Sequence, residues 1–392
     1  MNMTLSECAA NIICILLTIV CVLLIAIIIL IMKKNKKTKE ASFKNNFIID
    51  IPKEKSAEDA PPLFIVSSDK QRWVIGVFDG MGGSGSSRYK ENEEIRTGAY
   101  IASREVKNAV ELFFNSRFGT GNFSFVQSDV ESLKEKIMEK LKEKLDKQQY
   151  EKSSIRSSLV RTFPTTVAVA LISVSNAIVK IKTLWAGDSR VYCLSAEKGL
   201  VQLTKDDLKV ENDPFQNIKN DSPLSNMVNL DSDFSINFKE IEENTPAVFF
   251  AATDGCFQFF STPMHFENML LQTMQNANSM SEWEQKISEI LKNISGDDCS
   301  ISLLCLTDSN TDFVNFKELF RTRNESLYLD YMKDIDDKEK SIRDLKKQQD
   351  QTERFVLLET ERTELYEELW SRYKKTNYSL FNTNEICEQV KQ

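Results

Sequence analysis

The sequence is nearly without histidine: one, His265, stands among 392 residues. Nucleophilic mechanisms built on a Ser–His pair, and metal sites built from several imidazoles, therefore have almost no raw material, and any catalysis must run on carboxylates. His265 follows Pro263 and Met264 in a loop-like stretch and is expected to be structural or exposed. Paired cysteines are missing too. Of eight Cys, Cys8, Cys14 and Cys21 lie in or beside an apolar N-terminus, and Cys193, Cys256, Cys299, Cys305 and Cys387 are scattered without CxxC spacing. That pattern argues against zinc and for reduced thiols in a cytosolic compartment. Nor is there a basic excess: 50 Lys and Arg against 58 Asp and Glu give a net charge of -8. Phosphate backbones are attracted by concentrated Lys and Arg, so no nucleic-acid partner is expected.

What is present begins with an apolar run. Ile12 to Met32 contains 21 residues interrupted only by Thr18, and as a helix it would span roughly 30 Å, the thickness of a bilayer core. A cleaved signal peptide would open with positive charge and end in small residues, whereas here Glu7 is the one charge before the run and large residues continue to its end. Lys33, Lys34, Lys36, Lys37 and Lys39 follow at once and place that side in the cytoplasm. The expectation is a single-pass cell-membrane protein, anchored through residues 12–32, with a short extracytoplasmic stretch at 1–11 and a basic linker at 33–46.

From about Phe47 to Asp308 short runs rich in Val, Ile, Leu and Phe alternate with helical patterns. Trp73–Phe78, Thr165–Ser173, Ala177–Ala186, Arg190–Leu194, Ala247–Ala252 and Ser300–Leu306 read as strands. Ile95, Ala99, Ala102, Val106, Val110 and Phe113 recur at helical spacing, as do Val126, Val130, Leu133, Ile137, Leu141 and Leu145. A further helix is expected near Met280 to Ile294, and residues 206–236, dense in Asp, Asn, Ser and Lys, read as a long irregular segment or flap. This order favours a layered α+β fold. Residues 309–392 change character. Between Phe313 and Tyr373, Met332, Ile335, Ile342, Leu345, Phe355, Leu358, Leu365 and Leu369 keep roughly heptad spacing amid charge, and Lys346, Gln349 and Thr352 interrupt the seam. A helical tail is expected, as a coiled coil, as helices folded on themselves, or as a site of self-association or of a partner helix.

Four motifs place an acidic residue at the end of a β-like run. Trp73–Phe78 delivers Asp79 into Gly80-Met81-Gly82-Gly83; Trp185-Ala186-Gly187-Asp188-Ser189-Arg190 links two strands; Phe249–Thr253 leads to Asp254-Gly255; and Gly296-Asp297-Asp298-Cys299-Ser300 opens the last strand. Singly, each Asp-Gly is an ordinary turn. Jointly, hard carboxylate oxygens suit magnesium or manganese.

The ordered set resembles the metal-dependent protein phosphatase family, type 2C, over roughly residues 47–308. Asp-Gly-Met-Gly-Gly at 79–83 is close to its bacterial-style signature, Thr165-Thr166 opens the strand before the Gly187–Arg190 motif, and Glu58-Asp59 resembles the first acidic motif. The resemblance implies an α-β-β-α sandwich of two central antiparallel sheets flanked by helices, preceded by one transmembrane helix and followed by the helical tail. It implies a phosphoprotein substrate and two Mg or Mn ions, with a weaker third. Asp79 would bridge two ions and the Gly80 carbonyl would join one shell. Asp254 and Asp297 would ligate the other ion, Glu58 would hold its water and Asp188 would serve the third. Asp79, Asp254 and Asp297 thus stand as the catalytic set, with Asp298 the alternative to Asp297. Ions so placed would activate a shared water for in-line attack on phosphoserine or phosphothreonine. Where relatives carry a phosphate-gripping Arg this chain has Glu54, leaving Lys53 or Lys55; Met81 stands where eukaryotic relatives have a His, Pro164 where a Gly commonly precedes the Thr pair, and Asp207 where a His often follows. Glu54 motivates the alternative of a weakly active or inactive scaffold that binds phosphoproteins, or partners through its C-terminal helices.

Overall fold

The computed structural model describes residues 43–53, 57–91, 94–119, 124–147, 149–150, 160–175, 178–210, 214–219, 222–307, 311–346 and 352–377. The expected span Ile12–Met32, the lysines after it, Glu54 and Lys55 lie outside them; among the described residues no helix is long and apolar enough to cross a membrane.

Strands β1 (Phe43–Ile51), β2 (Ala60–Val66) and β3 (Arg72–Phe78) are followed by the short β4 (Arg88–Glu91), β5 (Glu94–Thr97) and β6 (Gln149–Tyr150). Then come β7 (Val167–Ser175), β8 (Ile178–Ala186), β9 (Arg190–Ser195), β10 (Gly199–Gln202), β11 (Asn237–Asn244), β12 (Ala247–Ala252) and β13 (Cys299–Thr307). One sheet runs β1-β13-β12-β9-β10, the second β11-β8-β7-β3-β2, and a small one β5-β4-β6. Among the described residues every strand pairing is antiparallel.

Antiparallel sheets often wet one face and alternate apolar with polar, yet β3 and β12 read as unbroken apolar runs because both their faces are covered. Trp73, Ile75 and Val77 meet Ala247, Phe249 and Ala251, with Leu304 and Leu306, in the layer between the sheets. Their sequence neighbours point outward: Val74 and Phe78 to one helical layer, Val248, Phe250 and Ala252 to the other. The period of two along a strand thus builds three cores from two sheets.

Helices α1 (Gly98–Phe118) and α2 (Gln127–Lys147) supply the first helical layer. Thr97 caps α1 by accepting the Tyr100 N–H, so the helix starts after Ile95, which lies on β5 and is 55% exposed. That corrects the expected register at its first position, as Val126, ahead of α2 and exposed, does for the second helix. After the short α3 (Pro214–Lys219), α4 (Pro263–Gln275) and α5 (Met280–Ile294) form the opposite layer. The loop expected around His265 is the first turn of α4: Thr262 is its N-cap, Pro263 sits where no N–H is needed, and the imidazole is buried with Nδ1 2.8 Å from Thr262 Oγ1. Burial holds its pKa down, at about 4.

The tail continues as α6 (Phe313–Glu318), α7 (Arg321–Leu327), a π turn at Tyr328–Met332, α8 (Lys333–Lys346) and α9 (Thr352–Asn377). Met332, Ile335, Leu369, Trp370 and Tyr373 join the core cluster of α4 and α5. Part of the expected seam, Met332, Ile335 and Leu369, is therefore used within the chain. The Arg323 guanidinium donates to both oxygens of the fully buried Glu267 at 2.7 and 2.9 Å, and the Tyr373 hydroxyl donates to the same carboxylate. Arg323 and Tyr373 thereby tie both ends of the tail to α4.

Candidate active site

The strand order explains why distant acids meet. Asp79 follows the C-terminal end of β3, Asp254 that of β12, Asp188 fills the β8–β9 turn, Glu58 and Asp59 precede β2, and Asp297 and Asp298 precede β13. Antiparallel pairing of Ala60 with Phe78 and of Ala252 with Ile301 brings these ends to one edge of the sandwich. There Glu58, Asp59, Asp79, Asp188, Asp254, Asp297 and Asp298 line a cleft of about 530 Å³ with Gly80 and residues 81–84 and 222–224.

Backbone contacts hold each acid in place. The Asp79 carbonyl accepts the Thr166 N–H at 2.9 Å and the Thr165 hydroxyl at 2.5 Å, while Thr166 Oγ1 lies 2.6 Å from Ser189 Oγ, coupling the Asp79 and Asp188 turns. Thr253 does the same for Asp254: its N–H donates to Ser300 O at 3.1 Å and its hydroxyl accepts from Ser300 N at 3.0 Å. Glu58 is clamped on three sides. Its Oε1 accepts from Thr97 Oγ1 at 2.5 Å, its carbonyl accepts from Ser103 Oγ at 2.6 Å and Arg104 Nη1 at 3.2 Å, and its N–H donates to Asp298 Oδ2 at 2.8 Å. The glycines of the first motif permit this approach: a Cβ on Gly80 would lie 2.3 Å from Glu58 O, and one on Gly82 1.8 Å from Glu58 Oε2.

The neighbouring acids of the last motif have different surroundings. Asp298 is buried and saturated, accepting the N–H groups of Lys53 at 2.7 Å, Glu58 at 2.8 Å and Asp59 at 3.3 Å. Asp297 is exposed to the cleft. Asp298 thus braces the first acidic motif and leaves Asp297 to face a ligand.

Sequence reasoning named Asp59 in the first acidic motif and gave it no role. It is 5% exposed, and its Oδ2 is buried with no hydrogen-bond partner. Burial, then the Asp298 charge, pushes its pKa up to about 7. Burial also raises Asp79 well above the carboxylate range, reinforced by Asp59, Asp254 and Asp188, and raises Asp254, reinforced by Asp188, Asp297 and Asp59. Glu58 shifts upward for the same first reason. The signal available was adjacency: Asp59 is the last residue before a strand whose first side chain, Ala60, is fully buried.

Lys53 does not reach the cleft. It is exposed, and its ammonium donates to Ser295 O at 2.6 Å; Lys55 lies outside the described residues. No Lys or Arg is among the described residues lining the cleft. Asp207, standing where relatives often carry a His, accepts the Gly187 N–H at 3.0 Å and both Asn226 and Asn237 amides, so it supports the Asp188 turn. Beside it Arg190 and Asp206 form a buried pair at 2.6 Å.

This donor set fits divalent magnesium or manganese: oxygen only, without imidazole or thiol on the cleft wall, with mutually repelling carboxylates and one orphaned buried oxygen. Among the described residues no three ligating side chains stand in a ready-made shell. Such ions keep several waters and use one or two carboxylates each.

The family model described as protein phosphatase 2C matches residues 53–292. No curated protein sequence matches the chain. Among solved structures, the Mycobacterium tuberculosis serine/threonine phosphatase PstP/Ppp is similar over 67% of this chain and 99% of its own, at 13% identity and a TM-score of 0.47. The PstP catalytic domain in complex with two manganese ions is similar over 67% and 98%, at 12% identity and 0.45, and Stp1 from Staphylococcus aureus over 68% and 96%, at 14% and 0.46.

Proposed function

The chain belongs to the protein phosphatase 2C family, and we propose that it is a membrane-anchored, metal-dependent phosphatase that hydrolyses phosphoserine and phosphothreonine in proteins. The observation that carries this reading is the cleft of carboxylates at one edge of the sandwich, in which burial and mutual repulsion hold Asp59, Asp79 and Asp254 above their ordinary pKa. A charge cluster so costly without counter-ions has a use when cations neutralise it.

Asp79, the Gly80 carbonyl, Asp254 and Asp297 would hold two Mg or Mn ions, with Glu58 and Asp59 oriented toward their waters and Asp188 toward a weaker third. When bound, such ions supply a water of lowered pKa and positive charge for the phosphoryl oxygens. The remaining work belongs to the chain. Thr165, Thr166 and Thr253 fix the strand ends that carry Asp79 and Asp254. Thr97, Ser103, Arg104 and Asp298 hold Glu58 against the 79–83 turn. Met81 offers no proton for the leaving group, and no cationic side chain is among the described lining residues, so bound ions would supply the positive charge that meets the phosphate.

The test compares a phosphothreonine peptide with a sugar phosphate, using the full chain in detergent with manganese. Preferential turnover of the peptide is expected. Faster sugar-phosphate turnover would replace a protein substrate by a metabolite, and a folded, manganese-binding protein inactive on several phosphopeptides would leave the scaffold reading. The anchor rests on Ile12–Met32 and the lysines behind it; protease added to the outside of intact cells should leave the cleft-bearing domain intact, and its digestion would reverse the topology.

A further inference from the structure

We propose that Trp370, far along the chain from the family-matched residues, is a positioning residue for one wall of the cleft, so that the helical tail sets how phosphopeptide substrates are received. The inference rests on the phosphatase reading for its kinetics, and on the packing alone for its structural part.

The wall is Ser222, Pro223 and Leu224, which face the acidic floor with the one proline and the one leucine among the described lining residues. A peptide presenting its phosphate to Asp79 and Asp254 would lay flanking side chains against these residues. They are held by the returning strand-like segment: Leu208 bridges Leu224, Lys209 N donates to Pro223 O at 3.0 Å, and Ser225 N donates to Asp207 O at 2.8 Å. The same Asp207 donates its N–H to Gly187 O at 3.0 Å, beside Asp188. Between these paired stretches in the sequence lies α3, which is gripped at two points. Asn217 Nδ2 donates to Asp206 Oδ2 at 2.7 Å. Phe215, fully buried, packs against Trp370 with ring centroids 6.0 Å apart.

Trp370 is itself fixed. It is 3% exposed and stacks on Tyr373 at 5.7 Å, and Tyr373 is bound to Glu267, which Arg323 holds from the other side. Phe215 and Trp370 belong to one core cluster with α4 and Leu200. The described residues 206–210, 214–219 and 222–225 therefore meet the Asp188 turn through Asp207 and the tail through Phe215. Short packed contacts of this kind transmit a displacement, because a close-packed interior does not absorb it locally.

The experiment uses the full chain in detergent with manganese and four variants: Trp370→Ala, Trp370→Phe, Phe215→Leu, and Leu291→Ala as a buried control on α5, outside the 206–225 segment. Kinetics are read on a phosphothreonine peptide and on a small aryl phosphate that has no flanking residues. Trp370→Ala and Phe215→Leu are expected to raise KM for the peptide by roughly tenfold or more, leave aryl-phosphate kcat/KM within about twofold, and speed hydrogen exchange at the Lys209 and Ser225 amides. Trp370→Phe should restore most of the peptide KM. Wild-type-like peptide KM and exchange in Phe215→Leu or in a folded Trp370→Ala, or an equal KM rise in Leu291→Ala, overturns the proposal. If wild type turns over neither compound, the phosphatase reading falls, and the exchange rates at Lys209 and Ser225 alone decide whether the tail positions the wall.

Discussion

Replacing Asp59 by Asn should stabilise the metal-free protein. Asp59 is 5% exposed, one oxygen has no partner, and its pKa stands at about 7 against an ordinary 3.8. Because the folded state binds this proton more tightly than the unfolded chain does, stability is fully present below about pH 4 and is lost as pH rises through about 7. Ionising the group in the fold costs about 4 kcal/mol by pH 8, of which about 1 kcal/mol is lost between pH 6 and 8. Asn keeps the shape and removes the titration. In EDTA, urea unfolding should therefore show Asp59→Asn more stable than wild type at pH 8 by up to about 4 kcal/mol, with the slope between pH 6 and 8 flattened; thermal midpoints should rise by roughly 2 °C per kcal/mol. In manganese the order should narrow or reverse, because the ion stabilises only the wild-type cluster fully. A variant less stable than wild type in EDTA at pH 8, with an unchanged pH slope, would refute the reasoning that burial and repulsion dominate here.

Asp297→Ala and Asp298→Ala should separate: the first loses one acceptor, for the Asp298 N–H, and should cost no more than about 1 kcal/mol in urea yet weaken manganese binding in calorimetry, whereas the second strips three N–H groups of their acceptor and should cost about 1–3 kcal/mol. Gly80→Ala places a methyl 2.3 Å from a backbone oxygen, which a side-chain rotation cannot relieve, and should lower manganese affinity at least about tenfold. Asp206→Asn leaves the Arg190 guanidinium buried without its counter-charge and should cost about 3–5 kcal/mol in urea unfolding.

Much of the fold was legible because its central strands carry their pattern without interruption. Ala247–Ala252 begins and ends where its apolar run does, and Met280–Ile294 keeps its expected bounds behind the Ser279 cap. Edge elements were not legible. β11, Asn237–Asn244, alternates half-buried and exposed positions and is rich in Glu and Lys, so its pairing with β8 shows only in the register. α4 was missed because Pro263 suggested a loop, although Thr262 followed by Pro is itself a helix start. In the site, the motif order located Glu58, Asp79, Asp188, Asp254 and Asp297 on one cleft. Spacing could not show that Lys53 turns to Ser295 O, that Asp298 spends its oxygens on three N–H groups, or that Asp59 is the more buried member of its pair. Those outcomes depend on contacts across more than two hundred residues of chain. The tail is similar: seam residues such as Met332, Ile335 and Leu369 were visible, but the roles of Arg323 and Tyr373 at Glu267 and of Trp370 at Phe215 follow from three-dimensional packing.

The most direct test couples manganese calorimetry to phosphate release from one phosphothreonine peptide, on wild type and Asp254→Asn side by side. The account predicts that wild type binds manganese and releases phosphate, that EDTA stops the release, and that the variant loses both binding and release while unfolding no earlier in EDTA. Phosphate release that survives EDTA, or that persists in a variant unable to bind manganese, would contradict it.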